Sequence, residues 1–250
     1  MDQNIQYKLS MLSIFKNETM NLKVWLEHYI FQGVEKFYLI DNDSNDNPLS
    51  ILQPYIDRGI VDYIFKPEKH KQVEHYKSTI IEKNIKKTTK WLVICDLDEF
   101  YYGYPDILYN TVDRYEMYDI IYSNWKLFGS SGYIKHPEDI RKSLLYREPN
   151  LNKDTKYIVQ IQNIDIHSID VHYIHNNNKY IIENNNIKLN HYPIQSLEYF
   201  TKVKMTRGDV ATYISDNVRD MDYFNRYDSK ATYKDEELMS IVQKIELFLI

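Results

Sequence analysis

A chain of 250 residues with 43% hydrophobic side chains can fill the core of one large α/β domain or two small ones. Its net charge of −5, with acidic and basic residues intermixed, excludes a global electrostatic footprint for nucleic acid, so an anionic ligand would need local compensation. The single cysteine, Cys95, excludes an internal disulfide, and no apolar run approaches the roughly 18 residues of a membrane span. With a start that lacks signal-peptide character, these features lead us to expect a cytoplasmic protein, in the host cytoplasm if its source is viral.

In chain order, residues 7–15 read as a first strand ending in Lys16-Asn17-Glu18. A helix with Leu22, Trp25, Leu26, Tyr29 and Ile30 on one face follows and stops at Gly33. A second strand, 36–40, runs into the polar loop 41–47, and a helix over 48–58 stops at Gly59. The third strand spans 60–65, an amphipathic helix covers 70–88, and an apolar run from Lys90 completes four strands separated by three helices. That alternation predicts a parallel sheet of right-handed crossover units.

The fourth run ends abruptly in Asp96, Asp98 and Glu99. Read as one strand from Lys90 to Phe100, it places Asp96 and Asp98 on one face and Glu99 on the other. Acids at the carboxyl end of a strand occupy the position where open α/β sheets form ligand crevices. Two like charges at that spacing repel, and a cation between them keeps both ionised; hard oxygen ligands favour Mg2+ or Mn2+. The plainer alternative is a pair of solvated acids closing a strand. The loop 41–47 fails as a calcium hand, with Asp46 at the position of the required glycine and Leu52 at that of the bidentate glutamate. The six glycines form neither usual phosphate-binding loop.

Beyond Phe100 the pattern predicts helices over 105–117, 137–147, 194–207, 213–226 and 236–249, a strand over 119–127, and short extended pieces at 156–164, 170–175, 179–182 and 188–192. His167, His172, His175 and His191 cluster in this half, although alternation separates His172 from His175. Lys202 and Arg207 follow His191 on a helix and could neutralise phosphate, or simply form a solvated face. Trp125 beside Gly129-Ser-Ser-Gly132 suggests an aromatic surface next to a tight turn.

Several segments in register resemble one family. They are Phe15-Lys-Asn-Glu18, Trp25-Leu-Glu-His28, Gly33-Val-Glu-Lys-Phe-Tyr38, Asp41-Asn-x-Ser-x-Asp46, Gln72, Trp91-x-x-x-x-Asp96-Leu-Asp-Glu-Phe100, Asn124-Trp-x-x-Phe-Gly-Ser-Ser-Gly132, His191-Tyr-x-x-x-Ser196, Phe200-x-Lys202 and Arg207-Gly208. Across roughly residues 12–209 they look like the GT-A glycosyltransferases of the DUF23 and family 92 type and their family-2-like relatives. The resemblance implies a single GT-A domain with a mostly parallel sheet: a nucleotide-binding half at about 1–100, an acceptor and metal-completing half at about 101–210, and C-terminal helices at 211–250.

It further implies transfer of a sugar from a UDP- or GDP-sugar to a hydroxyl on a glycan or protein, with inversion and with Mn2+ or Mg2+. Asn17, Glu18, Asp41, Asn42 and Gln72 then map to the donor, Asp96 and Asp98 to the metal and diphosphate, and His191, or second His172, to completion of the metal site. Lys202 and Arg207 map to the departing phosphate. A general base must reach the acceptor hydroxyl, and Glu138, Asp139 and Glu99 are the candidates. A hydrophobic C-terminal helix could dock on a partner or continue into a longer polypeptide.

Two other readings compete. A phosphatase of the haloacid dehalogenase type also ends an apolar strand in Asp-x-Asp, but near its chain start and followed by Thr or Val rather than Glu99-Phe100. A degenerate GT-A module could bind sugar or serve assembly without turnover.

Overall fold

The computed structural model describes residues 5–175, 177–207 and 219–248, with side chains to residue 243. The first part of the chain alternates as its sequence predicts: β1 (Tyr7–Phe15), α1 (Thr19–Phe31), β2 (Lys36–Asp41), α2 (Leu49–Asp57), β3 (Val61–Phe65), α3 (Gln72–Glu82), α4 (Ile85–Thr88), β4 (Thr89–Ile94) and β5 (Glu99–Gly103). The predicted helix over 70–88 is broken because Asn84 takes a left-handed conformation (φ 52°) between α3 and α4. Short elements follow: α5 (Leu108–Thr111), β6 (Ile120–Leu127), α6 (Ile140–Ser143), β7 (Tyr146–Arg147), β8 (Thr155–Gln160), β9 (Tyr180–Ile182) and β10 (Ile187–His191). The chain closes with α7 (Leu197–Tyr199), α8 (Met221–Asp228), β11 (Tyr233–Lys234) and α9 (Glu237–Phe248).

Several expected helices are shorter than their patterns. The one over 105–117 reduces to α5 and a 3-10 turn at Val112–Tyr115, and the one over 137–147 to α6 followed by β7. The helix over 194–207 is α7 continued by a π-helical turn at Phe200–Lys204. Residues 213–218 of another lie outside the described residues, and its remainder is α8. The piece at 170–175 is no strand but a single bridge between Ile169 and Ile174.

The chain divides into two units. Among the described residues, one comprises 5–124 and 153–189, and the other 125–152, 190–207 and 219–248. β6 and β10 begin in the first and end in the second. The central sheet runs β3-β2-β1-β4-β8-β6-β10-β5, with β9 also paired to β6. β1 through β4 pair in parallel, as expected, whereas β8 runs antiparallel to both β4 and β6. The sheet thus keeps its expected parallel part, to which β8 adds two antiparallel pairings.

Strand alternation explains how helices cover both faces of the parallel part. Leu12, Ile14, Tyr38, Ile40, Leu92 and Ile94 pack with Tyr76 and Ile80 of α3, while the intervening Phe37 meets the ring of Trp25 on α1 at 6.0 Å. Strands buried on both faces read as near-continuous apolar runs, which is why β1, β2 and β4 were legible.

Candidate functional site

The carboxyl ends of the four parallel strands meet a set of loops in the first unit, and the acidic residues lie there. β4 ends at Ile94, and residues 96–99 form a tight turn into β5, in which Glu99 N–H donates to Asp96 O at 3.1 Å. The uninterrupted strand to Phe100 is thus corrected. Because the chain turns, Glu99 does not point to the opposite face of a strand. Its carboxyl reaches back to accept from Asp96 N–H at 2.7 Å. Trp25 Nε1 donates to Asp96 O and Glu99 O at 3.3 and 3.1 Å, Tyr29 OH donates to Glu99 O at 3.0 Å, and Ser13 Oγ to Cys95 O at 2.7 Å. The turn and the residue before it are fastened to α1 and β1 by bonds to their backbone.

Beside this turn stands a residue that sequence reasoning passed over. The β4–β8 register, with Ile94 opposite Tyr157, brings Lys156 level with the end of β4. Its fully buried ammonium lies 2.9 Å from Asp96 Oδ2 and 3.9 Å from Glu99 Oε2, and donates to Val171 O at 3.3 Å. Burial alone would favour the neutral amine, but the charges of Asp96 and Glu99 more than offset it and hold the Lys156 ammonium above the usual lysine range. Glu99 behaves oppositely. Its complete enclosure, only partly countered by Lys156, raises the carboxyl well above the usual range, and Oε1 is buried without a hydrogen-bond partner.

Donor-side expectations fall into separate hydrogen-bonded groups. Asn17 sits at φ 54°, its N–H donates to Ser44 Oγ at 3.0 Å, and its side-chain oxygen accepts from Asn45 N–H at 2.8 Å. Asp41, 2% exposed at the end of β2, accepts from Ser44 N–H at 2.8 Å and from Tyr63 OH at 2.6 Å. Burial, then Asp41, keeps the Tyr63 phenol protonated far above its ordinary value, so the tyrosine is the donor. Asn42 Nδ2 donates to the carbonyls of Lys66 and Glu68, and Asp46 accepts from Thr19 N–H and Oγ1 at the start of α1. Gln72 Nε2 bridges Tyr76 OH (2.9 Å) and Asp96 Oδ1 (3.3 Å). Glu18 is buried. Among the acids of the turn, Asp96 is the most open, with its side chain 33% exposed against none for Glu99.

His172 belongs to the same unit. Its Nδ1 lies 3.1 Å from Thr155 O, and burial, reinforced by Lys156, depresses its basicity although Asp96 acts against this. The other expected residues lie in the second unit. His191 packs against Trp125 with ring centroids 4.3 Å apart, and the exposed Lys202 pairs with Glu198 at 2.7 Å. Arg207 is partly exposed beyond the π-helical turn. Of the base candidates, Glu99 is sealed off and so unable to reach an external hydroxyl. Asp139 caps α6 and is clamped by Arg141 at 2.7 Å, and Glu138 is exposed.

A divalent cation does not fit these residues as a ready-made centre. Among the described residues no three His, Cys, Asp or Glu side chains converge to hold a metal. Asp96, moreover, already faces the Lys156 ammonium. No helix among the described residues is long and apolar enough to cross a membrane.

The profile of glycosyltransferase family 92 matches residues 7–245. No relative is found among curated proteins. Solved structures with similar folds include residues 1–349 of TarS from S. aureus in complex with UDP-GlcNAc, at a TM-score of 0.42 and 10% identity over 72% of this chain and 59% of that one. Another is GalNAc-T7 with UDP, GalNAc and Mn2+, at a TM-score of 0.43 and 13% identity over 74% and 43% of the two chains. The chain thus spans about half the length of these structural neighbours.

Proposed function

Because the chain belongs to glycosyltransferase family 92, we propose that it moves a sugar from a nucleotide-diphosphate donor to a hydroxyl acceptor, with the donor lodged at the carboxyl ends of β1 to β4. Family membership also replaces the phosphatase reading. The observation that carries the proposal is that residues expected at the donor from four separate loops lie in connected hydrogen-bonded frames: Asn17 and Asp41 through Ser44, and Gln72 through Asp96. A ligand crevice at this end of a parallel sheet is what the topology favours.

In this reading Asn17 and Asp41 shape the rim that meets the nucleoside, and Gln72 and the acidic turn orient the diphosphate end. Rigid fastening of the turn by Trp25, Tyr29 and Ser13 keeps the dipoles in place before the donor arrives, which is the usual source of electrostatic advantage in group transfer. Of the three base candidates Glu138 alone retains an exposed carboxylate. Lys202, Arg207 and His191 enter by the resemblance, as does inversion of the anomeric centre.

A thermal-shift screen of UDP- and GDP-sugars, with and without Mn2+, tests this directly. One donor is expected to stabilise the protein by about 2.7 kcal/mol at a hundred times its Kd, and Gln72→Ala to abolish most of the shift. Turnover is read as release of nucleoside diphosphate, and the product anomer by NMR. If no nucleotide sugar raises Tm under either condition, the transferase reading fails. Binding without release would instead indicate a sugar-binding module.

A further inference from the structure

Lys156 is a charged side chain with no exposed surface, on a strand that otherwise carries core residues Tyr157, Ile158 and Val159. Three groups close around its ammonium: the Asp96 carboxylate, the Glu99 carboxyl and the Val171 carbonyl. Two come from the acidic turn and the third from the residue before His172. One buried cation therefore ties β8, the turn and the segment carrying His172 together, while Thr155 O meets His172 Nδ1 from the same strand. Burying an ammonium is costly unless it is paired and bonded, so its presence in this position needs a compensating partner, and Asp96 is that partner.

We propose that Lys156 is the resident cation of the acidic turn and a positioning residue for Asp96: it occupies the charge-compensating place beside that carboxylate, so that Asp96 meets the donor already neutralised and does not serve as a metal ligand. This deepens the donor-site reading and rests on it for the word donor, but the arrangement of charges stands independently. A divalent ion coordinated by Asp96 would share that carboxylate with a fixed ammonium 2.9 Å from Oδ2, and the buried lysine has no exposed surface through which to withdraw. Gln72, 3.3 Å from Oδ1, holds the other oxygen, so both oxygens of Asp96 are oriented from within the chain.

The test uses Mn2+ alone as probe, its affinity for the full chain measured by calorimetry or by the EPR signal of free Mn2+. Wild type, Asp96→Asn, Lys156→Met, Lys156→Arg and the double variant Lys156→Met/Asp96→Asn are compared after circular dichroism confirms folding. With Lys156 present, D96N should change the Mn2+ dissociation constant by less than about twofold. K156M should bind Mn2+ at least about tenfold more tightly than wild type, because it leaves Asp96 without its cation, and the double variant should lose that gain. K156R should behave as wild type. A purely structural lysine would alter stability without this metal signature. A tenfold loss of Mn2+ affinity in D96N, or no gain in K156M, overturns the proposal. Should K156M fail to fold, the D96N comparison in the wild-type background still decides. Failure of the donor reading would show separately, as nucleotide sugars that bind no variant while the Mn2+ pattern holds.

Discussion

Two helices of the first unit end in the same way, and the pair provides an internally controlled prediction. After α1, Gly33 N–H bonds Ile30 O and Val34 N–H bonds Tyr29 O; after α2, Gly59 N–H bonds Ile56 O and Ile60 N–H bonds Tyr55 O. Both are Schellman closures with a left-handed glycine, at φ 88° and 71°. A Cβ at Gly59 would meet nothing within 4 Å, so Gly59→Ala bears only the left-handed strain, about 1–2 kcal/mol. A Cβ at Gly33 would lie 2.4 Å from Tyr109 Cβ, an atom next to the backbone of α5 that has no rotamer by which to move aside. Overpacking of that kind adds roughly 1–3 kcal/mol, so Gly33→Ala should lose about 2–5 kcal/mol in total. Urea unfolding of both variants, with the m-value checked against wild type, measures the difference. If Gly33→Ala is no more destabilised than Gly59→Ala, the close approach of α5 to the end of α1 is not as described.

Three further outcomes are expected. In the second unit Asp235 stands between Lys126 (3.1 Å) and Arg147 (2.7 Å), all three nearly enclosed, so Asp235→Asn should cost about 3 kcal/mol in chemical denaturation; a loss below about 1 kcal/mol would mean the network is solvated. His136 is pulled down to about 4 by burial, with Glu198 acting against it, so the neutral ring is favoured on folding. The resulting stability is complete above pH 6.5 and declines as pH falls toward about 4. Allowing for partial exposure, it should amount to about 1 kcal/mol lost between pH 7.5 and pH 5, and a His136→Gln variant with an unchanged pH slope would contradict this. Cys95 is enclosed, and burial raises its thiol well above the ordinary value; alkylation at pH 8 should run roughly a thousandfold slower in the native than in the unfolded protein, and rapid native labelling would refute the packing around Tyr29 and Met11.

How much of this could be read in the sequence depended on whether neighbours along the chain were also neighbours in space. β1 to β4 and the helices between them announce themselves because each is buried by adjacent elements and bounded by Gly33, Gly59 or a polar loop. Asp96 stood out at the end of such an apolar run, whereas Asn17, Asp41 and Gln72 were singled out only through the family resemblance. The turn at 96–99 was hidden because an apolar run says nothing about where a strand ends, and Glu99 was misread accordingly. Helices over 105–117 and 137–147 showed the right period but are overruled by tertiary packing into 3-10 and extended segments. Lys156 was missed because its partners lie about 60 residues earlier. A signal did exist: alternation puts it on the face of Ile158, which is fully buried, and a lysine on a buried face calls for an acid.

The late arrival of β8 has a consequence for how the protein is made. Ile94 completes the parallel strands, but β8, which covers the remaining edge of β4, begins only at Thr155. At about 5–20 residues per second, a ribosome takes roughly 3–12 s to supply it. Throughout that interval the edge of Trp91, Leu92, Val93 and Ile94, all fully buried in the finished protein, lacks its hydrogen-bonding neighbour, and Asp96 lacks its counter-charge. The nascent chain thus exposes an adhesive strand during its own synthesis, a window in which holdase chaperones would find their substrate and in which a ribosome stalled before residue 155 would release an aggregation-prone fragment.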